Sequence, residues 1–299
     1  MKNYIGIDLG GTNLRVAIVR EDGFIATEQK IESEAAKGPE HVMSRMIDLI
    51  HQVKTGYEVH GIGIGFPGPI ESMTGDIIMS TNLPGFSHYP VVNMLQEEFK
   101  LPVYIDNDAN VAGLAEALVG AGKGKNAVYY VTISTGIGGG FVVNGKTVSG
   151  KHGHAGEIAN IIIDRNRPKR NHLNAGAVEN EASGVAIVRK GREIFGDRIT
   201  HAGHVFDLAR QNDAQALQIV DEMCYDLAMM FSAIAHVLDP DVFVIGGGVM
   251  KSKDVFLEKM ISYYNTMIHP AMCSVEFIEA ELKEPGIIGA AMLPISKGN

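Results

Sequence analysis

Residues 4–20 read YIGIDLGGTNLRVAIVR. Two apolar, β-prone runs flank the turn Gly10-Gly11-Thr12, which predicts a β-hairpin. Residues 128–143 read VYYVTISTGIGGGFVV, and the same reasoning predicts a second hairpin around a second glycine turn. One device used twice in a chain points to two related lobes. Outward from the first hairpin, residues 24–31 continue as a more polar strand. Val42, Met43, Met46, Ile47, Leu49, Ile50 and Val53 share one face of a helix over 39–53. A buried strand over 59–65, a Gly/Pro loop, a helix near 91–99 and a strand over 103–106 complete a β-β-β-α-β-α-β order. That order predicts an α/β domain with a mixed sheet. Beyond the second hairpin come a helix over about 213–238, capped by Asp213 and closed by Asp239-Pro240, then a strand over 242–245 and the cluster Gly246–Gly248.

Composition narrows the function. The 299 residues suggest two domains of ordinary size. Lys and Arg number 26 against 35 Asp and Glu, a net charge of −9, which disfavours a nucleic-acid partner. No apolar run approaches the roughly 20 residues of a bilayer span, so no membrane association is expected. Met1-Lys2-Asn3 runs straight into the first apolar stretch, so no signal peptide is expected. The two cysteines, Cys224 and Cys273, form neither a disulfide framework nor a thiolate zinc site, and fit a reducing cytoplasm. The 35 glycines exceed the usual share of about 7%. They are clustered, and clusters mark tight turns or close approach to a ligand.

Two motif matches are decoys. Residues 140–147, GFVVNGKT, fit the phosphate-loop pattern letter for letter. That loop needs a strand before it and a helix after it. Here Phe141, Val142 and Val143 read as strand, and Asn144-Gly145 reads as a type I′ hairpin turn. Residues 63–68, GIGFPG, fit the dinucleotide pattern, but Pro67 and Pro69 forbid the turn into a helix. A ligand-side loop shaped by glycine and proline is expected there instead.

Four segments carry candidate chemistry. In Asp8-Leu9-Gly10-Gly11-Thr12-Asn13, an acid ends a buried strand and a glycine turn follows. Successive N–H groups can cradle phosphate oxygens, Thr12 adds a hydroxyl, and Asp8 is placed to hold Mg²⁺ through water. A plain hairpin, with the glycines needed only for positive φ, is the alternative. Ser134-Thr135-Gly136-Ile137-Gly138 repeats the arrangement, so two turns are expected to clamp a polyphosphate. In Asp106-Asn107-Asp108, at a strand-to-helix junction, Asp108 reads as a helix N-cap, a general base, or both. His152 to Asn160, with Glu157, and the later Glu179 offer acceptors suited to sugar hydroxyls. Salt-bridged surface acids are the plainer reading.

Taken together these residues resemble the ROK family (repressor, open reading frame, kinase). The markers are Asp8-x-Gly-Gly-Thr12, Asn107-Asp108, Thr135-Gly-Ile-Gly-Gly139, Gly153-x-x-Gly156-Glu157, Glu179 with Ser183-Gly184, Asp239-Pro followed by Ile245-Gly-Gly-Gly, and Gly286-Ile-Ile-Gly-Ala-Ala291. The resemblance implies a two-lobed actin-like ATPase (ribonuclease H-like) α/β fold with duplicated mixed sheets. It implies a small lobe of residues 1–112 plus about 288–299, a large lobe of 113–287, and a homodimer. It implies transfer of a phosphoryl group from ATP, with Mg²⁺, to a hexose, usually at O6. By carry-over Asp108 is the base. Asn82, Asn107, Asp108, Glu157, Asn160 and Glu179 are substrate contacts. Asp8, Gly10, Gly11, Thr12, Asn13, Ser134, Thr135, Gly136, Gly138, Gly246, Gly247 and Gly248 are ATP contacts.

One departure is expected to matter. Most members bind structural zinc through a Gly-His pair and a Cys-x-Cys-Gly-x-x-Gly-Cys segment. Here the cysteine positions hold Arg170, His172 and Ala177, and the histidine position holds Asn160. A lone imidazole cannot complete a tetrahedral site, so no zinc is expected. Glucose is the first expectation for substrate. An N-acylhexosamine such as N-acetylmannosamine comes second, with allose, fructose and mannose behind, and intact Glu179 favours a neutral hexose. A sugar-responsive regulator and an actin-like or chaperone ATPase are the non-kinase readings. The first phosphate hairpin begins by residue 4, so the N-terminal helix-turn-helix of the former is not expected. The candidate sugar acceptors are unneeded in the latter.

Overall fold

The computed structural model describes residues 1–71, 74–80 and 83–298. It is an α/β protein with two five-stranded sheets. The chain divides into two compact units, Met1–Tyr130 with Gly140–Gly156 and Ala280–Asn299, and Val131–Gly139 with Glu157–Glu279.

The first unit opens with β1 (Asn3–Leu9), β2 (Asn13–Arg20) and β3 (Ile25–Glu32). The helix α1 (Pro39–Lys54) leads to β4 (Val59–Phe66), and α2 (Val91–Phe99) to β5 (Val103–Asn107). The sheet order is β3-β2-β1-β4-β5. The predicted hairpin is β1 against β2, antiparallel, with Asp8 opposite Arg15. The β1–β4 and β4–β5 pairs are parallel, as strands joined by helical crossovers must be. On α1, six of the seven predicted core positions are buried, and Ile47 packs half-buried against the same cluster. From β5 the chain passes straight into α3 (Asp108–Val119).

The strands β6 (Ala127–Ile133) and β7 (Ile137–Val143) form the predicted second glycine-turn pair, followed by the short β8 (Lys146–Thr147). Between β7 and β8, Asn144 (φ 50°) and Gly145 (φ 73°) both take positive φ, as a type I′ turn requires. The phosphate-loop match is therefore a hairpin turn.

The second unit holds α4 (Glu179–Ala182), α5 (Gly184–Phe195), α6 (Ala202–Arg210) and α7 (Ala214–Leu238). Then come β9 (Val242–Gly246), α8 (Lys253–Met267) and β10 (Glu276–Glu279). The second sheet runs β10-β9-β6-β7-β8, with β10 parallel to β9. Asp213 caps α7 as predicted, accepting from the N–H groups of Gln215 and Ala216 at 3.0 Å. Phe231, Phe243, Tyr264 and Phe277 pack as an aromatic core with ring centroids 4.9–6.4 Å apart.

The last helix, α9 (Pro285–Lys297), belongs to the first unit. It lies so close to its neighbours that backbone meets backbone. A Cβ at Gly6 would fall 2.2 Å from the Ile287 carbonyl oxygen, at Gly63 1.8 Å from that of Ala290, and at Gly289 1.7 Å from that of Val111. This corrects the expectation for Gly63 and Gly65. Both lie inside β4, and a Cβ at Gly65 would meet the Val111 side chain at 3.1 Å. These glycines serve helix-on-strand packing, and the Gly286–Ala291 motif is the other half of that contact.

Candidate functional site

The first glycine turn is anchored from behind. Ser33 is fully buried. Its hydroxyl donates to the Gly11 carbonyl at 2.9 Å and its N–H to the Thr12 carbonyl at 2.9 Å. The Gly10 N–H donates to the Asn13 carbonyl at 2.8 Å, and Asn13 begins β2. Neither Gly10 nor Gly11 is among the glycines at positive φ. A Cβ at Gly10 would meet only the Asn13 carbonyl oxygen, at an ordinary 3.7 Å. The plain-hairpin reading required positive φ, and the turn lacks it. What glycine leaves here is uncovered main chain, with Gly11 and Thr12 exposed. Asp8, one residue before the end of β1, has its carboxyl pushed upward by burial, while Arg15 pulls it down, Glu284 pushes it up and Lys30 pulls it down.

The second turn is held from α5. The Gly184 N–H donates to the Ser134 carbonyl at 2.8 Å, and the Ser134 N–H to the Gly136 carbonyl at 2.8 Å. Glu179, at the start of α4, accepts from the Ile137 N–H at 2.9 Å through Oε2. A Cβ at Gly136 would sit 2.4 Å from that oxygen, so glycine is what lets the carboxylate lie on the turn. Gly138 lies within β7.

Gly246 is buried at the end of β9. Gly247 needs to be glycine twice over, with φ at 93° and a Cβ position 2.3 Å from the Ile133 carbonyl oxygen. Ser134, Thr135 and Gly248 meet in one cavity of about 690 Å³, within the usual range for a small-molecule site. Val185, Val188, Phe206 and Val249 give it apolar walls, and Arg192, Thr200, His201 and Lys251 add polar groups. Sequence reasoning missed these eight because α5, α6 and the turn after Gly248 carried no motif. A second cavity of about 440 Å³ is lined by Thr135, Gly136, Glu179, Arg170 and Arg189 among others.

At the β5–α3 junction, Asn107 is the N-cap. Its Oδ1 accepts from the Ala109 N–H at 2.9 Å, and its Nδ2 donates to the Gly68 carbonyl at 3.2 Å. Asp108 is the first helical residue and is exposed. This corrects the capping role considered for Asp108. Its Oδ1 nevertheless accepts from the Ala109 N–H at 2.7 Å, the helix end favours negative charge there, and an exposed carboxylate at that place is chemically a proton acceptor. Asp106, just before, is 2% exposed.

Glu157 precedes a short 3₁₀ turn over 158–160 and Asn160 ends it, and both are exposed. The Asn160 Oδ1 accepts from the Asn174 N–H at 2.8 Å, tying together the two stretches that correspond to the zinc segment. In the following loop Arg167 reaches the buried Asp226. Among the described residues, no group of three or more His, Cys, Asp or Glu side chains is placed to hold a metal ion. Among the same residues, no helix is long and apolar enough to cross a membrane. Asn82 lies outside the described residues.

The model of the ROK family matches residues 4–297. The chain belongs to the ROK family. A glucokinase from Halalkalibacterium halodurans is 34% identical, with 97% of this chain and 94% of the relative covered. An N-acetylmannosamine kinase from Yersinia pestis is 30% identical, with 98% of each covered. The crystal structure of a ROK family glucokinase from Streptomyces griseus, in complex with glucose and AMPPNP, superposes with a TM-score of 0.75 at 25% identity, covering 99% of this chain and all of the other. Regulators also occur among the ROK relatives. The actin-like α/β architecture of two mixed sheets is thus that of the ROK sugar kinases.

Proposed function

We propose that this protein is an ATP-dependent hexose kinase acting at O6, with glucose as its substrate. The observation that carries the reading is Asp108, an exposed carboxylate on the first residue of a helix that Asn107 caps. Its carboxylate is a proton acceptor of the kind that phosphoryl transfer to an alcohol requires. The sugar hydroxyl loses its proton to Asp108 as its oxygen attacks the γ-phosphorus. The bond from that phosphorus to the bridging oxygen breaks, and ADP leaves. Gly10, Gly11, Thr12 and Asn13 in one turn, and Ser134, Thr135, Gly136 and Gly138 in the other, offer N–H and hydroxyl donors to phosphate oxygens. The cavity beside Gly246, Gly247 and Gly248 takes the nucleoside, its apolar walls against the base.

Asp8 fits a magnesium ion, since a single hard carboxylate joined by phosphates and water is how Mg²⁺ is usually held. Burial raises its carboxyl, and a bound cation would favour its ionised form. When bound, the ion would offset charge on the phosphates. Asn107, Glu157, Asn160 and Glu179 are the proposed acceptors and donors for sugar hydroxyls, together with Asn82. The chain is proposed to act as a cytoplasmic homodimer and without zinc.

A second reading, an N-acylhexosamine kinase, is favoured by Asn160, which replaces the histidine of zinc-binding members. A non-catalytic sugar-responsive regulator is the remaining alternative. Release of ADP from ATP, followed across a panel of glucose, mannose, fructose, allose and N-acylhexosamines, separates the three. Hexose-dependent release with glucose best supports the proposal. Release only with an amide-bearing sugar moves it to the second reading. Sugar binding without ADP release makes it a regulator.

A further inference from the structure

The carboxylate of Asp106 is buried and has five side-chain and backbone partners. Its Oδ1 accepts from the Asn107 N–H at 2.9 Å and from the Asn110 Nδ2 at 2.8 Å. Its Oδ2 accepts from the Thr147 hydroxyl at 2.9 Å, and the Lys297 ammonium lies 2.8 Å away. The Ser149 hydroxyl reaches both oxygens, at 3.2 and 2.9 Å. Asn110 and Ser149 are themselves buried. Burial drives this carboxyl toward protonation, yet Lys297, Asn110 and Thr147 together hold it below the usual carboxylate range. A buried charge with that many partners is costly to assemble, and a helix could be started without one.

The partners show what it orients. Asn107 is the cap of α3 and Asn110 sits in its first turn, so Asp106 grips both sides of residue 108. Thr147 and Ser149 come from the segment after the second hairpin, and Lys297 from the last turn of α9. Lys297 also reaches the Ile105 carbonyl at 3.4 Å. The opposite end of α3 is tied separately. There buried Glu116 accepts from the N–H groups of Ala121 and Leu282 at 2.9 Å and from that of Glu281 at 3.2 Å. The helix is pinned at both ends, and only the N-terminal pin adjoins the proposed base.

We propose that Asp106, with Lys297 and Ser149, is a positioning residue for the phosphoryl-transfer reaction: it fixes the first turn of α3 so that the Asp108 carboxylate is presented in one orientation. This rests on the reading of Asp108 as the base.

The test is a double-mutant cycle on the full chain with ATP and the best sugar of the panel. Asp106→Asn keeps the shape and removes the charge. It is expected to lower kcat by about 10- to 100-fold, the scale of an ångström-level misplacement, and to leave both KM values within about threefold. Lys297→Arg retains turnover, and Lys297→Met loses it in the same kcat-only pattern. On an Asp108→Asn background, Asp106→Asn is expected to cost nothing further, because its effect passes through the missing carboxylate. If the two losses multiply, or if soluble Asp106→Asn turns over at the parental rate, the positioning role is overturned. If Asp106→Asn does not fold, Ser149→Ala takes its place in the cycle, with a smaller kcat-only loss expected and the same outcomes decisive. Full turnover by Asp108→Asn alone would instead overturn the assignment of the base, and with it this role.

Discussion

Arg167 grips Asp226 with both arms of its guanidinium, Nη1 to Oδ2 at 2.6 Å and Nη2 to Oδ1 at 2.7 Å. Asp226 is fully buried on α7. Buried Glu181, at the end of α4, lies within 3.5–3.8 Å of Arg167, Arg170, Arg189 and Lys190. The loop that carries Arg167 is therefore fastened to α7 by a guanidinium–carboxylate fork. In the basic stretch 165–170, Arg167 and Arg170 thus pair with acids of their own chain.

Arg167→Met is expected to destabilise the protein by roughly 3 kcal/mol, since removing one partner strands a buried carboxylate. Equilibrium unfolding in urea measures this. Changing both residues, Arg167→Met with Asp226→Leu, is expected to recover most of the loss. Dialysis against a chelator is expected to leave the apo-protein's melting temperature unchanged, and a fall would reveal a structural metal.

Asp108→Asn is expected to lower kcat at least about 10²-fold, the scale for loss of a general base. Sugar and nucleotide affinities stay close to the parental values. Steady-state kinetics with direct binding measurements check both halves, and near-parental turnover would remove Asp108 from the mechanism.

Gly136→Ala places a methyl group on the Glu179 carboxylate. Gly247→Ala forces a side chain into positive φ against a carbonyl, strain of about 1–3 kcal/mol. Gly247→Ala is expected to weaken binding of a non-hydrolysable nucleotide. Gly136→Ala is expected to disturb sugar and nucleotide together, because Glu179 must leave the turn. Calorimetric titration with each ligand distinguishes the two patterns.

Acid unfolding tests the Asp106 network from another side. Its folded-state carboxyl lies below the ordinary range despite burial. An acid lowered in this way contributes stability at pH values above its unfolded pKa of about 3.9. That contribution fades as the pH falls through the folded value. The stability gap between the parent and Asp106→Asn is therefore expected to be widest near neutrality and to shrink below about pH 4. A gap independent of pH would mean that shape, not charge, is what the site requires.

Much of the fold was legible because it follows short periods. Apolar runs flanking a glycine turn in residues 4–20 and 128–143 marked both hairpins, and the apolar face over 39–53 marked α1. Asp213 announced α7 by its capping chemistry. Three features were hidden for physical reasons. The packing of α9 against β1 and β4 is backbone on backbone, so its glycines imitate a ligand loop, and Gly63 was misread. Arg167 and Asp226 are far apart in sequence, and nothing local distinguishes them from solvated charges. Asp106 looked like one more acid beside Asn107-Asp108. Only the tertiary arrival of Thr147, Ser149 and Lys297 shows it to be the best-held carboxylate in the region. The cavity-lining His201 and Lys251 gave no signal at all, because single polar residues on unremarkable segments carry no pattern.

The glycines of this chain fall into two populations that a geneticist could sort without any assay of chemistry. Randomising codons 6, 63 and 289 and screening only for soluble protein would return glycine almost alone, because the packing of α9 against β1, β4 and α3 leaves no volume there. The same screen at codon 10 would accept alanine, since the turn has space and an unstrained backbone. Only a growth selection that demands catalysis would restore glycine at that codon. The difference between the two survivor lists would map, codon by codon, where bare main chain is kept for a visitor and where it is kept for the protein itself.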